Sequence, residues 1–368
     1  MRKDFLFRAF INFLYIVLGL SFVSTLIMML KEFHNFGSNW NPQKFIHPRW
    51  LRHFVNMTYE QNNIVSPDSP CFQNKFQNIL LIVSFGAVSE YESIPLFELL
   101  YKKAFTNRIY CGASSLPNQT EITILPVDTK YGAFLYDCLD KAIKTYTNYS
   151  GYLFIGEDVL LNYWNVANLD QNKIWEDDSI KQGPVLYEQN TDSWEWWQSP
   201  WGSRAMEKVY EYLIELNYYD NRKAKLTQGD WKPAWDAGQS LNKWLWNGGG
   251  EYACYWTNRS VFYIPQSYSQ LYVNISKHFR ASGVRHNIAI PTVTRLVTLA
   301  SESIKLRSLG ITENNRGELL SKRELLVQAS DKSHFIYIDG NRKERRAILN
   351  NLRLKEYAVG KFLQYRRC

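Results

Sequence analysis

The chain has no Gly-x-Ser-x-Gly elbow, no Gly-x-x-x-x-Gly-Lys phosphate loop and no Gly-x-Gly-x-x-Gly turn. These absences weaken hydrolase, NTPase and dehydrogenase readings, because each of those chemistries is built on such a backbone. Cysteine is scarce: Cys71, Cys111, Cys138, Cys254 and Cys368, with no Cys-x-x-Cys and no Cys/His zinc spacing. That removes the sequence signature of a zinc site. An oxidising compartment would permit disulfides. The odd count leaves at least one thiol free or paired between chains, so pairing and a homo- or hetero-oligomer stay open.

Long apolar runs are also scarce, and the chain has one. Ala9 to Leu30 is uncharged and mostly apolar for twenty-two residues. About 20 such residues cross the hydrocarbon core as a helix. Arg2, Lys3 and Arg8 precede the run against Asp4, while Lys31 and Glu32 follow it and nearly cancel. The positive-inside rule then leaves residues 1–8 in the cytosol and turns the rest toward the lumen or the exterior. A cleaved signal peptide is the competing reading. Its apolar core is about 7–15 residues and ends at small residues, whereas this run is longer and ends in Leu26-Ile27-Met28-Met29-Leu30. The expectation is an uncleaved signal anchor at 9–30, with membrane contact through that single helix.

The net charge of +8 invites a nucleic-acid reading, but its distribution argues against one. Residues 341–368 hold nine Lys and Arg against two Glu, so most of the excess sits in a basic C-terminal tail. The body is nearly neutral, and a lumenal protein meets no nucleic acid. The tail reads as a solvated basic helix end or as a contact for anionic glycan, nucleotide-sugar phosphate or lipid headgroups. Five Asn-x-Ser/Thr triplets, at Asn56, Asn118, Asn148, Asn258 and Asn274, read as glycan acceptors on surface loops. Thirteen Trp and twenty-four Tyr make the chain rich in aromatics, many between Trp194 and Trp256. They serve either as core or as flat surfaces for sugar rings.

Residues 31–75 are polar with scattered Pro and Asn, and read as a stem. A folded unit is expected over 76–340. Ile79 to Val83 is a short β-branched run, as a buried parallel strand requires. Tyr91 to Phe105 has helical spacing. Arg108–Cys111 and Ile122–Leu125 read as strands, Tyr131–Thr147 as an amphipathic helix, and Tyr152–Ile155 as a fourth strand. Alternation of this kind predicts a mostly parallel α/β sheet with flanking helices. Later, Val261–Ile264 reads as a strand and Ser267–Phe279 as a helix.

The most informative motif ends the fourth strand, in Gly151-Tyr-Leu-Phe-Ile-Gly-Glu157-Asp158-Val159. Two carboxylates lie just past the carboxyl end of an apolar strand, the edge where open α/β sheets bind ligands. Hard oxygen ligands suit Mn2+ or Mg2+, and such a metal bridges a diphosphate. The plainer alternative is an acidic turn without a ligand.

An anchor, a stem, β/α units and an acidic pair after a strand together resemble a type II Golgi glycosyltransferase of the Rossmann-type GT-A fold. The stretch from Gly151 to Trp175, with Leu161-Asn-Tyr-Trp-Asn165 and Asp170-Gln-Asn-Lys-Ile-Trp175, is similar in particular to the STELLO-type proteins and their animal relatives. The resemblance implies a Golgi membrane protein with a lumenal catalytic region. It would use a nucleotide-sugar donor and a glycan or glycoconjugate acceptor, with Asp158 and Glu157 on the metal. Trp246-Asn-Gly248-Gly249-Gly250-Glu251 resembles the glycine loop of fringe-like and β1,3-galactosyltransferase-like enzymes, which lies against donor and acceptor. Trp244 and Trp246 are then candidate stacking rings. Those families carry an acidic pair next, as base. This chain has Arg285-His286-Asn287 there, so His286, Glu251 or no residue at all takes that role. Asp236 could approach an acceptor hydroxyl, but reads equally as a turn or cap. Some GT-A enzymes close the metal site with a late histidine, which makes His334 a candidate third ligand. Glu176-Asp177-Asp178 reads as a solvated charge run. A non-catalytic, glycosyltransferase-like scaffold or glycan-binding protein is the alternative from a different class.

Overall fold

The computed structural model describes residues 73–87, 91, 93–113, 122–130, 132–183, 197, 199–227, 236–247, 254–257, 260–311 and 334–337. All belong to one compact unit, Met57–Cys368. The expected anchor at 9–30, almost all of the stem and the basic tail at 341–368 lie outside the described residues. So do Asn56, Asn118, Asn258, Gly248 to Gly250 and Glu251. Among the described residues no helix is long and apolar enough to cross a membrane.

The fold is mixed α/β around a seven-stranded, mostly parallel sheet. Its strands are β1 (Ile79–Ser84), β2 (Arg108–Gly112), β3 (Ile124–Pro126), β4 (Gly151–Gly156), β6 (Trp175–Asp177), β9 (Val261–Pro265) and β10 (Ile304–Leu306). In space they run β10-β6-β9-β4-β1-β2-β3. Only β9 is antiparallel to its neighbours, β4 and β6. The first four strands match the expected segments within two residues at each end. Strands β1, β4 and β9 are buried along their whole length. Continuous apolar runs are what a sheet covered on both faces demands.

One face carries Leu80, Ile82, Tyr152, Phe154, Phe262 and Ile264 into the main core. Helices α3 (Tyr136–Thr145), α6 (Gln266–Ser282) and α7 (His286–Val297) cover it, with α4 (Ser203–Thr227) and α5 (Ala237–Trp246) packed outside them. The opposite face is aromatic. Phe76 stacks on Phe105 at 4.4 Å, and Phe97 on Tyr101 at 5.9 Å. Phe76, Tyr101 and Phe105 all present edges or faces to Tyr163. Here lie α1 (Gln73–Phe76) and α2 (Ile94–Tyr101). The Tyr101 hydroxyl accepts from the Leu161 N–H at 2.7 Å, which ties this layer to β5 (Val159–Leu161).

A second sheet orders β11 (Ser308–Ile311), β12 (His334–Tyr337) and β5. Two short strands, β7 (Lys181–Gln182) and β8 (Tyr255–Trp256), form a third. A disulfide joins Cys111 at the end of β2 to Cys138 on α3, and Cys254 is a buried free thiol.

The structure corrects two readings. Glu176 and Asp177 are fully buried in β6, not solvated. Glu176 pairs with Arg295 at 2.6 Å and with Lys305. Burial alone would raise its pKa, but the two cations outweigh that and hold the carboxyl below its ordinary range. Asn274 lies within α6, not on a loop, and the serine of its triplet, Ser276, is buried and donates to Asp140 at 2.6 Å. Asn148 is exposed between α3 and β4 as expected.

Candidate functional site

From β1 the chain builds outward through β2 to β3, then returns to place β4 on the other side of β1. This reversal is a topological switch point, the edge at which open α/β sheets generally bind ligands. β1 and β4 pair in full register from Ile79 opposite Gly151 to Ser84 opposite Gly156. The two strands therefore end level. The turn Glu157-Asp158 sits on this lip.

Backbone bonds fix the turn from both sides. The Glu157 N–H donates to the Ser84 carbonyl at 3.0 Å, and the Gly156 N–H to the Ser260 carbonyl at 2.9 Å. The Ser84 hydroxyl donates across to the Ile155 carbonyl at 3.2 Å. Asp158 is 8% exposed, while Glu157 is half-buried. A side chain at Gly156 would meet Oδ1 of Asp158 at 2.7 Å and the Ser260 Cβ at 3.1 Å. Glycine here makes room for the Asp158 carboxylate to fold back over the strand end.

Other groups share this lip. Thr129, after β3, is buried and donates to the Gly86 carbonyl after β1 at 3.4 Å. His286 opens α7, and its N–H donates to the Ala133 carbonyl at 2.8 Å. This bond ties the start of α7 to the loop that follows β3. Asp177 ends β6 on the same side. Its Oδ1 accepts from the Ser179 N–H at 2.7 Å, Ser179 meets the Thr257 hydroxyl at 3.0 Å, and the Thr257 N–H donates to the Asn287 carbonyl at 3.0 Å. This chain of bonds joins the end of β6 to the start of α7. Asp177 escaped sequence reasoning because an acidic triplet looks like a solvated surface, and Ser179 and Thr257 because 78 residues separate them in the chain.

His334 arrives from far along the chain. In β12 it pairs opposite Leu161, and Ile336 opposite Val159, the residue after Asp158. Its backbone therefore lies three strand positions from Asp158, about 10 Å at the usual rise. The remaining candidates stand elsewhere. Asp236 caps α5, its Oδ1 accepting from the Gln239 N–H at 2.8 Å. Trp244 is 2% exposed, with its ring edge-on to Tyr210 at 5.6 Å, whereas Trp246 is 83% exposed. The expectation of a stacking pair is corrected, because residues two apart on a helix do not share a face. Gly248 to Gly250 and Glu251 are outside the described residues, but both ends of their segment are anchored. Asn247 reaches the Arg295 and Thr298 carbonyls, and the Tyr255 hydroxyl donates to the Asn247 carbonyl at 2.7 Å.

Among the described residues no three His, Cys, Asp or Glu side chains cluster as a metal cage. The turn instead offers one buried carboxylate beside a half-buried one. That donor set suits a hard cation held by one or two carboxylates, with phosphates and water completing its shell.

No family model matches the chain. It is similar to the probable glycosyltransferase STELLO1 of Arabidopsis thaliana, 27% identical over 111 residues. It is likewise similar to the probable glycosyltransferase STELLO2 of the same plant, 25% identical over 111 residues. Each match covers 30% of this chain and 14% of the relative. The relationship is a loose, glycosyltransferase-like one.

Proposed function

We propose that the chain is a metal-dependent glycosyltransferase of GT-A organisation, moving a sugar from a nucleotide-sugar to a glycan or glycoconjugate acceptor. The observation that carries this reading is the Glu157-Asp158 turn, held at the switch point with Asp158 folded over Gly156. Mn2+ or Mg2+ bound there would act as Lewis acid toward a diphosphate leaving group. Asp158 would hold it, Glu157 would stand beside it, and His334 is the candidate third ligand. The Gly248–Gly250 loop would shape the sugar site, and Trp246 offers an exposed ring to the acceptor. His286, at the start of α7, would take the acceptor hydroxyl's proton as general base. Glu251 is the acidic candidate for the same task. Asp236, committed to capping α5, is left with a structural role.

The same reading makes the protein a single-pass type II Golgi membrane protein anchored at 9–30, with its catalytic region lumenal. The Cys111–Cys138 disulfide supports an oxidising compartment.

One observation favours a second reading, a non-catalytic scaffold or glycan-binding protein. Arg285-His286-Asn287 has no acid where fringe-like enzymes carry their base.

The test is binding of UDP and GDP to the full chain in detergent, with and without Mn2+, by calorimetry, followed by donor hydrolysis. Binding that needs Mn2+ and disappears in Asp158→Ala is the expected result. Folded wild-type protein that binds neither nucleotide would leave the scaffold reading. Binding that survives Asp158→Ala would remove the metal from this turn.

A further inference from the structure

Helices α4 and α5 flank a half-open cavity of about 470 Å3 on the outside of the helical layer. Four carboxamides line it: Asn217 and Asn221 from α4, Gln239 and Asn242 from α5. The half-buried Tyr210 supplies an aromatic wall, backed by the buried Trp244, and Ile214, Leu241 and Leu245 supply aliphatic ones. Among the described residues no lysine, arginine or histidine lines it. Its one carboxylate, Asp236, is engaged by the Gln239 N–H. The lining thus mixes aliphatic side chains with carboxamides that both donate and accept, and its one charged group is Asp236.

Space for the carboxamides is built in. A side chain at Gly238 would meet Oδ1 of Asn217 at 2.7 Å, and that same oxygen accepts from Asn221 Nδ2 at 3.1 Å.

The geometry points to a binding site for a neutral carbohydrate in this cavity, separate from the sheet's lip. Carboxamides pair with vicinal hydroxyls because both partners donate and accept. The Tyr210 ring and the aliphatic side chains beside it cover the apolar face of a sugar ring. A phosphate or sulfate finds no cation here. The volume falls within the usual range of small-molecule sites. This inference stands on α4 and α5 alone and does not depend on the Asp158 turn.

The test uses the full chain in a detergent without a sugar headgroup. The probes are lactose, cellobiose, maltose and α-1,2-mannobiose, read by saturation-transfer NMR, with inorganic phosphate as the anionic control. The expected result is transfer to at least one disaccharide that inorganic phosphate, added as a competitor, does not displace. In the double variant Gln239→Leu/Asn242→Leu, affinity falls by roughly tenfold, as loss of two hydrogen-bonding side chains implies. Both positions are exposed, and a thermal scan checks folding. Gly238→Ala, which pushes Asn217 out of place, weakens binding in the same direction. Asp158→Ala leaves it unchanged, which separates this site from the nucleotide site. The inference is overturned if no disaccharide binds folded wild-type protein, if binding ignores the α5 changes, or if it vanishes in Asp158→Ala alone.

Discussion

A Cβ on Gly156 would stand 2.7 Å from Oδ1 of Asp158. The last residue of β4 thus decides whether the buried carboxylate at the sheet's lip can adopt its position. Gly156→Ala should displace Asp158 while costing about 1–3 kcal/mol of stability, the usual range for overpacking. Mn2+-dependent nucleotide binding should weaken by more than the modest drop in melting temperature would suggest. Calorimetry beside thermal unfolding separates the two. Unchanged binding would mean that Asp158 does not hold the metal from this position.

Glu176 and Arg295 form a pair that is almost wholly buried, 2.6 Å apart. Glu176→Ala strands the guanidinium and should cost about 3–5 kcal/mol. Adding Arg295→Met should recover much of that, measured as a double-mutant cycle in urea. The carboxyl's pKa is lowered by its cations. Its contribution is therefore complete above the ordinary pKa of 4.5 and is lost as pH falls toward the lowered value.

Asp140 shows the opposite sign. Burial raises its carboxyl to about 7, against the lowering effects of Ser276 and Lys144. The folded state holds this proton more tightly than the unfolded chain does. The favourable contribution is complete below pH 3.8 and fades as pH rises toward 7. Asp140→Asn should match wild type near pH 4 and exceed it by a few kcal/mol at pH 8, on the scale of 1.36 kcal/mol per unit. Chemical denaturation at both pH values reads this directly. A pH-independent difference would contradict it.

The Cys111–Cys138 bridge spans a sequence separation of 27. Replacing both by Ser should cost about 2–4 kcal/mol, by constraining the unfolded chain less. Cys254 should stay unmodified by alkylating reagent in the native protein, because it is buried and burial raises its thiol pKa. Mass spectrometry before and after denaturation checks the thiol, and urea denaturation of the double Ser variant checks the bridge.

Local pattern made the first half of the sheet readable. β1, β2 and β4 are short apolar runs, and α3 carries a clear one-sided stripe, so period and punctuation were enough. α7 was not readable. It contains Pro291, and every residue from Asn287 to Val297 is buried, so no amphipathic period marks it. Glu176 was misread because its partners, Arg295 and Lys305, lie more than a hundred residues away.

The candidate site divides along the same line. The acidic pair after an apolar strand was legible, since both carboxylates are adjacent in the chain. The part played by Gly156, the bonds at Ser84 and Ser260 and the arrival of β12 beside β5 were not. Sequence alone determined which segments become strands and where carboxylates follow one, because those properties depend on neighbours in the chain. Only the tertiary structure decided that β4 returns beside β1, burying Asp158 at the switch point. That choice rests on long-range strand pairing and side-chain packing, which no short window contains.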